Sequence, residues 1–187
     1  MATVSLILLV ILGIGAVGIF WFVGGYNTLV RLKALVDEAW SGIDVQLKRR
    51  YDLIPNLVAV VKQYSIHEKT VLENVTKMRA ASMGATGVAE KADAENQLTG
   101  ALKTLFAVSE NYPDLKANEN FLALQKELSV LEHEIQLSRR YYNGAARNYN
   151  IAVISFPTNI IASFTGFTKA DYFQIDEAER KNPEVKF

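Results

Sequence analysis

The sequence predicts an all-helical protein. An N-terminal transmembrane helix precedes an antiparallel, up-and-down four-helix bundle with two long outer helices, the first and the fourth, and two shorter ones. The first observation behind this is an uncharged N-terminal run, residues 4–23. The second is that apolar residues recur every three, four or seven positions, which places them on one face of a helix and not on a strand. The third is that stretches containing serine, glycine or proline separate these segments.

The balance of charges and the absence of cysteine restrict the chemistry. Half of the 187 residues are apolar, enough to bury the core of one soluble domain beside a membrane segment. The 20 basic residues balance the 20 acidic ones and form no long run, so we expect no nucleic-acid partner. Without cysteine, disulfides, thiolate nucleophiles and cysteine metal sites are excluded.

Residues 4–23 form the predicted transmembrane helix. At about 1.5 Å per residue they span the roughly 30 Å hydrocarbon core of a bilayer. A cleaved signal peptide is the alternative, but the start MATVSL has no charged side chain and the apolar run is long for a signal peptide. The expected interfacial aromatic belt consists of Phe20, Trp21, Phe22 and Tyr26.

The residues that follow this segment indicate how the chain leaves the membrane and on which side the soluble domain lies. Gly24-Gly25 predicts a flexible exit from the membrane. Arg31 and Lys33 follow closely, whereas only the terminal amine precedes the segment. The positive-inside rule therefore favours a cytoplasmic soluble domain, with the exported side as the alternative.

The first helix of the bundle is predicted from about Tyr26 to Tyr64. Arg50 occupies the position at which the apolar stripe of this helix is interrupted. Pro55 predicts a kink or a strained turn because it removes a backbone donor. The stripe consists of Leu29, Leu32, Val36, Ala39, Ile43, Leu47, Ile54, Leu57 and Val61.

Three further helices follow. Ser65 and Glu68 predict a capping box before the second helix, which ends near Gly84, and the third helix stops at residues 111–114. The fourth helix ends at Phe156-Pro157. The apolar faces are Val71, Leu72, Val75 and Met78 in the second helix, Leu98, Leu102, Leu105 and Phe106 in the third, and Phe121, Leu124, Leu128, Leu131, Ile135, Tyr142, Ala145, Tyr149 and Val153 in the fourth.

The predicted domains are a transmembrane anchor at 1–25, a helical bundle at 26–155 and an aromatic C-terminal tail at 156–187. Because the second and third helices are short, the first and fourth pair alone near the membrane, in the manner of a coiled coil. Their apolar residues there need cover from the tail or from neighbouring subunits. The predicted oligomer or membrane-proximal contacts are Leu29, Leu32, Trp40, Phe156, Phe164, Phe167 and Phe173.

A charged cluster interrupts the first helix. Antiparallel pairing places Lys48, Arg49 and Arg50 opposite Glu132 and Glu134, which predicts interhelical ion pairs on a solvated rim. The alternative is a site for a phosphate, a lipid headgroup or a protein partner. The candidate interaction residues are Lys48, Arg49, Arg50, Asp52, Pro55 and Asn56.

No catalytic or metal-binding motif is apparent. For a zinc HExxH, His67 would need a histidine at Val71, and His133 would need a glutamate at Val130 for a di-iron ExxH. We therefore expect no metal, no cofactor and no catalytic residue, and interpret the protein as a non-enzyme. An enzyme whose residues meet only in the fold is a remaining alternative.

Five stretches resemble a known family. They are YNTLVRLKALVDEAW, IDVQLKRRYDLIPNLV, ENYPDLKANENFLALQKEL, YYNGAARNYN and FPTNIIASFTGF. Together they resemble the LemA family over roughly Tyr26 to Phe173. The resemblance implies a bundle of long helices anchored in the bacterial cytoplasmic membrane, with no established activity or cofactor. Some relatives look like lipoproteins, with a lipidated cysteine where this chain has Gly24-Gly25, which would place the domain on the exported side.

These observations favour a single-pass membrane scaffold that self-associates, with the lipid bilayer and further copies of the chain as partners. By analogy, relatives associated with magnetosome membranes imply a structural or organising role. The alternatives are an adaptor or accessory subunit of a membrane protease or stress-response complex, and an uncharacterised enzyme.

Overall fold

The computed structural model describes residues 2–64 and 68–174, and within these ranges it contains six helices and no strand. The all-helical class and the long apolar N-terminal helix are therefore confirmed. The helices are α1 (Ala2–Tyr64), α2 (Lys69–Gly84), α3 (Val88–Ser109), α4 (Pro113–Lys116), α5 (Glu119–Ile154) and α6 (Thr158–Thr165).

Helix α1 is continuous over 63 residues. It passes through Gly24 and Gly25, so the expectation of a flexible exit is wrong. Gly25 lies directly against the side chain of Ile161, which a Cβ at this position would overlap. Close packing thus compensates for the weak helix propensity of glycine. The strongly apolar N-terminal window of α1 is not buried within the protein, as expected of a helix that contacts lipid.

The predicted stripe of α1 is confirmed, since eight of its nine members are buried and Leu32 is half-buried. Arg50, at the interrupted step, is also buried, with 1% of its surface exposed. Pro55 lies inside α1 with its side chain exposed, and the helix continues on both sides.

The shorter helices follow the predicted faces. Leu72 and Val75 of α2 and Leu98 and Leu105 of α3 are buried. Glu68 is the N-cap residue of α2 and makes no side-chain capping bond, whereas Ser65 lies outside the described residues. The predicted stop at residues 111–114 is confirmed as the end of α3, and the short helix α4, which was not predicted, begins there with a proline in its first turn.

Helix α5 ends at Ile154, just before Phe156-Pro157 as predicted, and α6 follows within the tail. Helix α6 was not predicted from the sequence. Gly166 ends it in the left-handed conformation, with φ of +80°, and the Phe167 amide donates to the Ala162 carbonyl at 3.0 Å.

The chain divides into two compact units. Of the described residues, the anchor unit combines 2–39 with Gly144–Ala170, and the main unit combines those within 40–143 with 171–174. The core of the anchor unit consists of Leu29, Ile161 and Ala162, surrounded by Phe22, Ala152, Val153 and Phe167. The fully buried side chains of the main unit include Ile43, Leu47, Ile54, Leu57, Leu98, Leu105 and Phe121.

Two asparagines of α5, seven residues apart, bind the backbone that follows α6. Within the anchor unit, the Asn150 amide donates to the Ala170 carbonyl at 2.9 Å and accepts from the Ala170 N–H at 2.8 Å. Within the main unit, Asn143 makes the same pair of bonds to Phe173, both at 2.9 Å. Each asparagine side chain therefore uses its amide N–H and its carbonyl oxygen to bind the backbone of one residue of the tail.

Candidate functional site

A buried polar cluster joins three helices of the main unit. The Arg50 guanidinium of α1 pairs with Glu95 of α3, which is fully buried, and its Nη1 donates to Glu132 of α5 at 2.6 Å. The same Nη1 donates to the Thr99 hydroxyl at 3.0 Å. One buried cation is therefore held by two carboxylates, a strong arrangement because charge assists each hydrogen bond.

Tyr51, the residue after Arg50, completes the cluster. Its hydroxyl donates to the second carboxylate oxygen of Glu95. Tyr51 lies outside residues 4–23, which are predicted to span the membrane. Burial of its ring, together with the Glu95 carboxylate, raises the pKa of the Tyr51 phenol well above its usual value. The tyrosine therefore holds its proton and acts as a hydrogen-bond donor.

Further hydrogen bonds connect α2 to the same cluster. Arg79 Nε of α2 donates to the Tyr51 carbonyl at 2.7 Å. The Ser82 hydroxyl donates to the Ala94 carbonyl at 3.0 Å, and Lys91 Nζ donates to the Ser82 carbonyl at 2.8 Å. The cluster thus fixes side chains and backbone of α1, α2, α3 and α5 to one another.

An open cavity of about 670 Å³ lies between α3 and α5 beside this cluster. Its polar wall includes Arg50 and Glu132, with Lys103, Lys126 and His133 also lining it. In the two described ranges, no group of three or more His, Cys, Asp or Glu residues could hold a metal ion. The apolar lining residues are Leu102, Phe106, Leu122 and Leu128.

The structure separates Arg50 from the other candidate interaction residues. Arg50 is buried, and its predicted pairing with Glu132 is confirmed. The predicted solvated rim is wrong for this residue, because its second partner, Glu95, is also buried. Arg49 donates to Gln46 of its own helix at 3.2 Å. The interaction role stays a prediction for the exposed members, which are Lys48, Arg49, Asp52, Pro55 and Asn56.

Glu95 was not among the predicted site residues, although the pattern that singled out Arg50 also applies to it. Glu95 lies three residues before Leu98, on the step of the apolar face that continues through Leu102 and Leu105. A carboxylate and a guanidinium that each interrupt an apolar stripe are candidates for one buried pair.

The predicted oligomer or membrane-proximal contacts have different environments. Leu29 and Phe173 are buried in the fold, Leu32, Trp40 and Phe167 are half-buried, and Phe156 and Phe164 are 81% and 83% exposed. Within the main unit the Trp40 and Phe173 rings lie 6.2 Å apart, and the Arg139 guanidinium lies 4.5 Å from the Phe173 ring centre. A contact role with lipid or another subunit stays a prediction.

Helix α1 begins with an apolar segment, and both helical units contain part of α1. These features are those of a membrane-associated helical protein. The LemA family model matches residues 39–187, and the chain belongs to the LemA family. The resemblance drawn from the sequence is confirmed.

Three bacterial relatives are similar in sequence to this chain over most of its length. Protein LemA of Metamycoplasma hominis is 31% identical over 170 residues, which cover 88% of this chain and 76% of that protein. Magnetosome protein MamQ 2 of Paramagnetospirillum magneticum is 27% identical over 80% of this chain, and MamQ of Magnetospirillum gryphiswaldense is 25% identical over 79%. The chain spans 64% of the length of each of these two magnetosome proteins. Neither LemA nor MamQ names an enzyme family, and the similarity supports a membrane location.

Proposed function

We propose that the chain is a non-enzymatic, single-pass protein of the bacterial cytoplasmic membrane that acts as a self-associating helical scaffold. The observation that carries this proposal is a row of exposed apolar side chains on α5 in the main unit, with the half-buried Glu134 between the first two of them. Val130, Leu137 and Tyr141 are 54%, 39% and 56% exposed. Spacings of seven and four place them on one face of the helix. An apolar row outside the membrane segment is typical of a protein interface.

The scaffold requires a stiff body, which we propose to be an antiparallel four-helix bundle of α1, α2, α3 and α5 in the main unit. The Arg50 contacts to Glu95 and Glu132 support this arrangement because they link three of these helices. The Arg79 bond to the Tyr51 carbonyl links the fourth. Loss of one partner would leave a buried charge unpaired, so the cluster favours one packing of the helices.

The names of the relatives are consistent with a structural role. Two of the three relatives described above are named as magnetosome proteins, and by analogy we infer a role in membrane organisation. We propose a cytoplasmic location for the main unit, because Arg31 and Lys33 follow the membrane segment.

The mass of the assembly in mild detergent tests self-association. We expect the purified full chain to form homo-oligomers, and Val130→Lys or Leu137→Lys to shift them to smaller species, because lysine cannot be buried in an apolar interface without loss of free energy. Gln63→Lys is the matched control, since it adds the same charge at an exposed position of α1. A monomeric wild-type protein would overturn the proposal, and oligomers unaffected by both α5 variants would exclude this face as the interface.

A second candidate function is that of an adaptor for a membrane protease or another membrane protein. It is favoured by the exposure of Lys48 and Arg49 on α1. The double variant Lys48→Glu, Arg49→Glu tests it by co-purification from native membranes. The adaptor function predicts loss of a defined partner with the homo-oligomer mass unchanged. An unchanged set of co-purifying proteins would count against it.

A further inference from the structure

We propose that α6 is an interfacial membrane helix that inserts Phe156, Ile160 and Phe164 into the lipid next to the exit of α1. The partner of this surface is the bilayer itself. The inference rests on the membrane anchoring of α1 and is independent of self-association.

Contacts within the anchor unit place α6 beside the end of the membrane segment. The rings of Phe164 and Phe22 meet edge to face, with centroids 6.3 Å apart. Ile161 lies on Gly25, and the Phe167 ring lies 5.8 Å from that of Tyr26. Because Phe22 belongs to the uncharged residues 4–23, α6 lies at the level where α1 leaves the hydrocarbon core.

Both faces of α6 carry large apolar side chains, and the exposed face also includes the small polar Ser163. Ile161 and Ala162 are buried against the core of the anchor unit. On the other face Ile160 and Phe164 are 55% and 83% exposed, and Phe156, just before the helix, is 81% exposed. The helix sequence TNIIASFT contains no charged residue. A helix that is apolar on a covered and an uncovered face is typical of contact with both protein and lipid.

Charged and aromatic residues around α6 distinguish a bilayer from a second protein copy. Trp21 and Tyr26 are 41% and 40% exposed at the same end of the membrane segment, where such rings favour the headgroup region. Arg31 of α1 and Lys169 after α6 are exposed cations of the anchor unit. Apolar side chains backed by aromatic rings and cations form the pattern of an interfacial segment that binds anionic lipid.

Hydrogen bonds at both ends of α6 keep the exposed face in place. At its start the Thr158 hydroxyl donates to the Ser155 carbonyl at 2.9 Å. After its end, Ala170 is held by both groups of the Asn150 amide. The apolar face is thus ordered before it meets lipid, which lowers the entropic cost of insertion.

Spin labels in reconstituted protein test the proposal, since the natural chain has no cysteine. Ile160→Cys and Phe164→Cys are labelled separately in the full chain, in nanodiscs of mixed phosphatidylcholine and phosphatidylglycerol. Gln63→Cys, an exposed residue of the main unit, is the control. We expect lipid-soluble oxygen to relax labels 160 and 164 several-fold more, relative to a water-soluble nickel chelate, than label 63.

Two sites are labelled so that a local change in structure at one of them cannot decide the result. Phe164 contacts Phe22, whereas Ile160 faces outward. The proposal is overturned if both labels respond to the nickel chelate as label 63 does. It is also overturned if both show strong spin–spin broadening without access to oxygen, because a second protein copy would then cover the face. A monomeric protein with lipid-exposed labels would contradict the scaffold function and leave this inference supported.

Discussion

Arg50 and Glu95 form a buried ion pair between α1 and α3, and each occupies a step of its helix that the pattern reserves for an apolar side chain. Their exposed fractions are 1% and 0%. Desolvation of two charges is costly, and three further contacts supplement the pair. Arg50 also donates to the Thr99 hydroxyl and to the carboxylate of Glu132, and the Tyr51 hydroxyl donates to Glu95. The stability of the main unit therefore depends on the cluster being complete.

Glu95→Ala should destabilise the main unit by about 3–5 kcal/mol, because it leaves Arg50 short of one buried counter-charge and removes the carboxylate acceptor of Tyr51. Thermal and chemical unfolding of the full chain, followed by circular dichroism, measures the change. Glu73→Ala is the matched control, since Glu73 pairs with Lys69 on the exposed face of α2 at 3.7 Å. Equal stability of the two variants would contradict the structural importance of the buried pair.

An apolar replacement of the cluster should recover most of that loss. In the triple variant Arg50→Met, Tyr51→Phe, Glu95→Leu, no charge or hydroxyl of these three residues remains buried without a partner. We expect its free energy of unfolding to exceed that of Glu95→Ala and to approach the wild-type value. If the triple variant is instead less stable than the single one, the polar contacts contribute more than apolar packing can replace.

The pKa of Tyr51 predicts a loss of stability at high pH. The pKa of the Tyr51 phenol is higher in the folded protein than in the unfolded chain, so protonation of the phenol favours folding. This contribution is complete below the unfolded pKa of about 10 and declines as pH rises above it. Tyr51→Phe should flatten the fall of unfolding free energy above about pH 10. Tyr172→Phe, at an exposed position of the main unit, serves as the control, and an equally steep alkaline fall in both variants would disprove the assignment.

Alanine substitutions at Gly25 and Gly24 test how closely α6 packs on α1, with the Gly24 substitution as the control. Gly25→Ala places a Cβ against the buried Ile161, whereas a Cβ at Gly24 meets nothing within 4 Å. We expect Gly25→Ala to increase amide hydrogen exchange in α6, and Ile161→Ala in the same chain to restore part of its protection. Gly24→Ala should leave α6 unchanged and stabilise α1 by about 0.5–1 kcal/mol. Equal protection of α6 in both single variants would contradict the close approach.

The long helices were predictable because their apolar residues recur with helical spacing over many turns. Arg50 could be placed on the buried face for the same reason, and Glu95 could have been found by applying the pattern to the third helix. Helix α6 has only eight residues, too few for a periodic pattern among irregular aromatics. The sequence predicted a flexible exit at Gly24-Gly25, because the close approach of Ile161, more than 130 residues away, is visible only in the fold.

The side-chain amides of Asn143 and Asn150 bind main-chain groups of the tail. A carboxamide paired in this way recognises an extended peptide irrespective of its side chains. At Ala170, which is held by Asn150, natural variation can therefore alter the side chain without breaking the attachment, whereas a proline there would remove the N–H that the amide accepts. At Ala170 the attachment and the side-chain chemistry of the tail therefore depend on different residues, whereas at Phe173 the buried ring also contributes to the attachment.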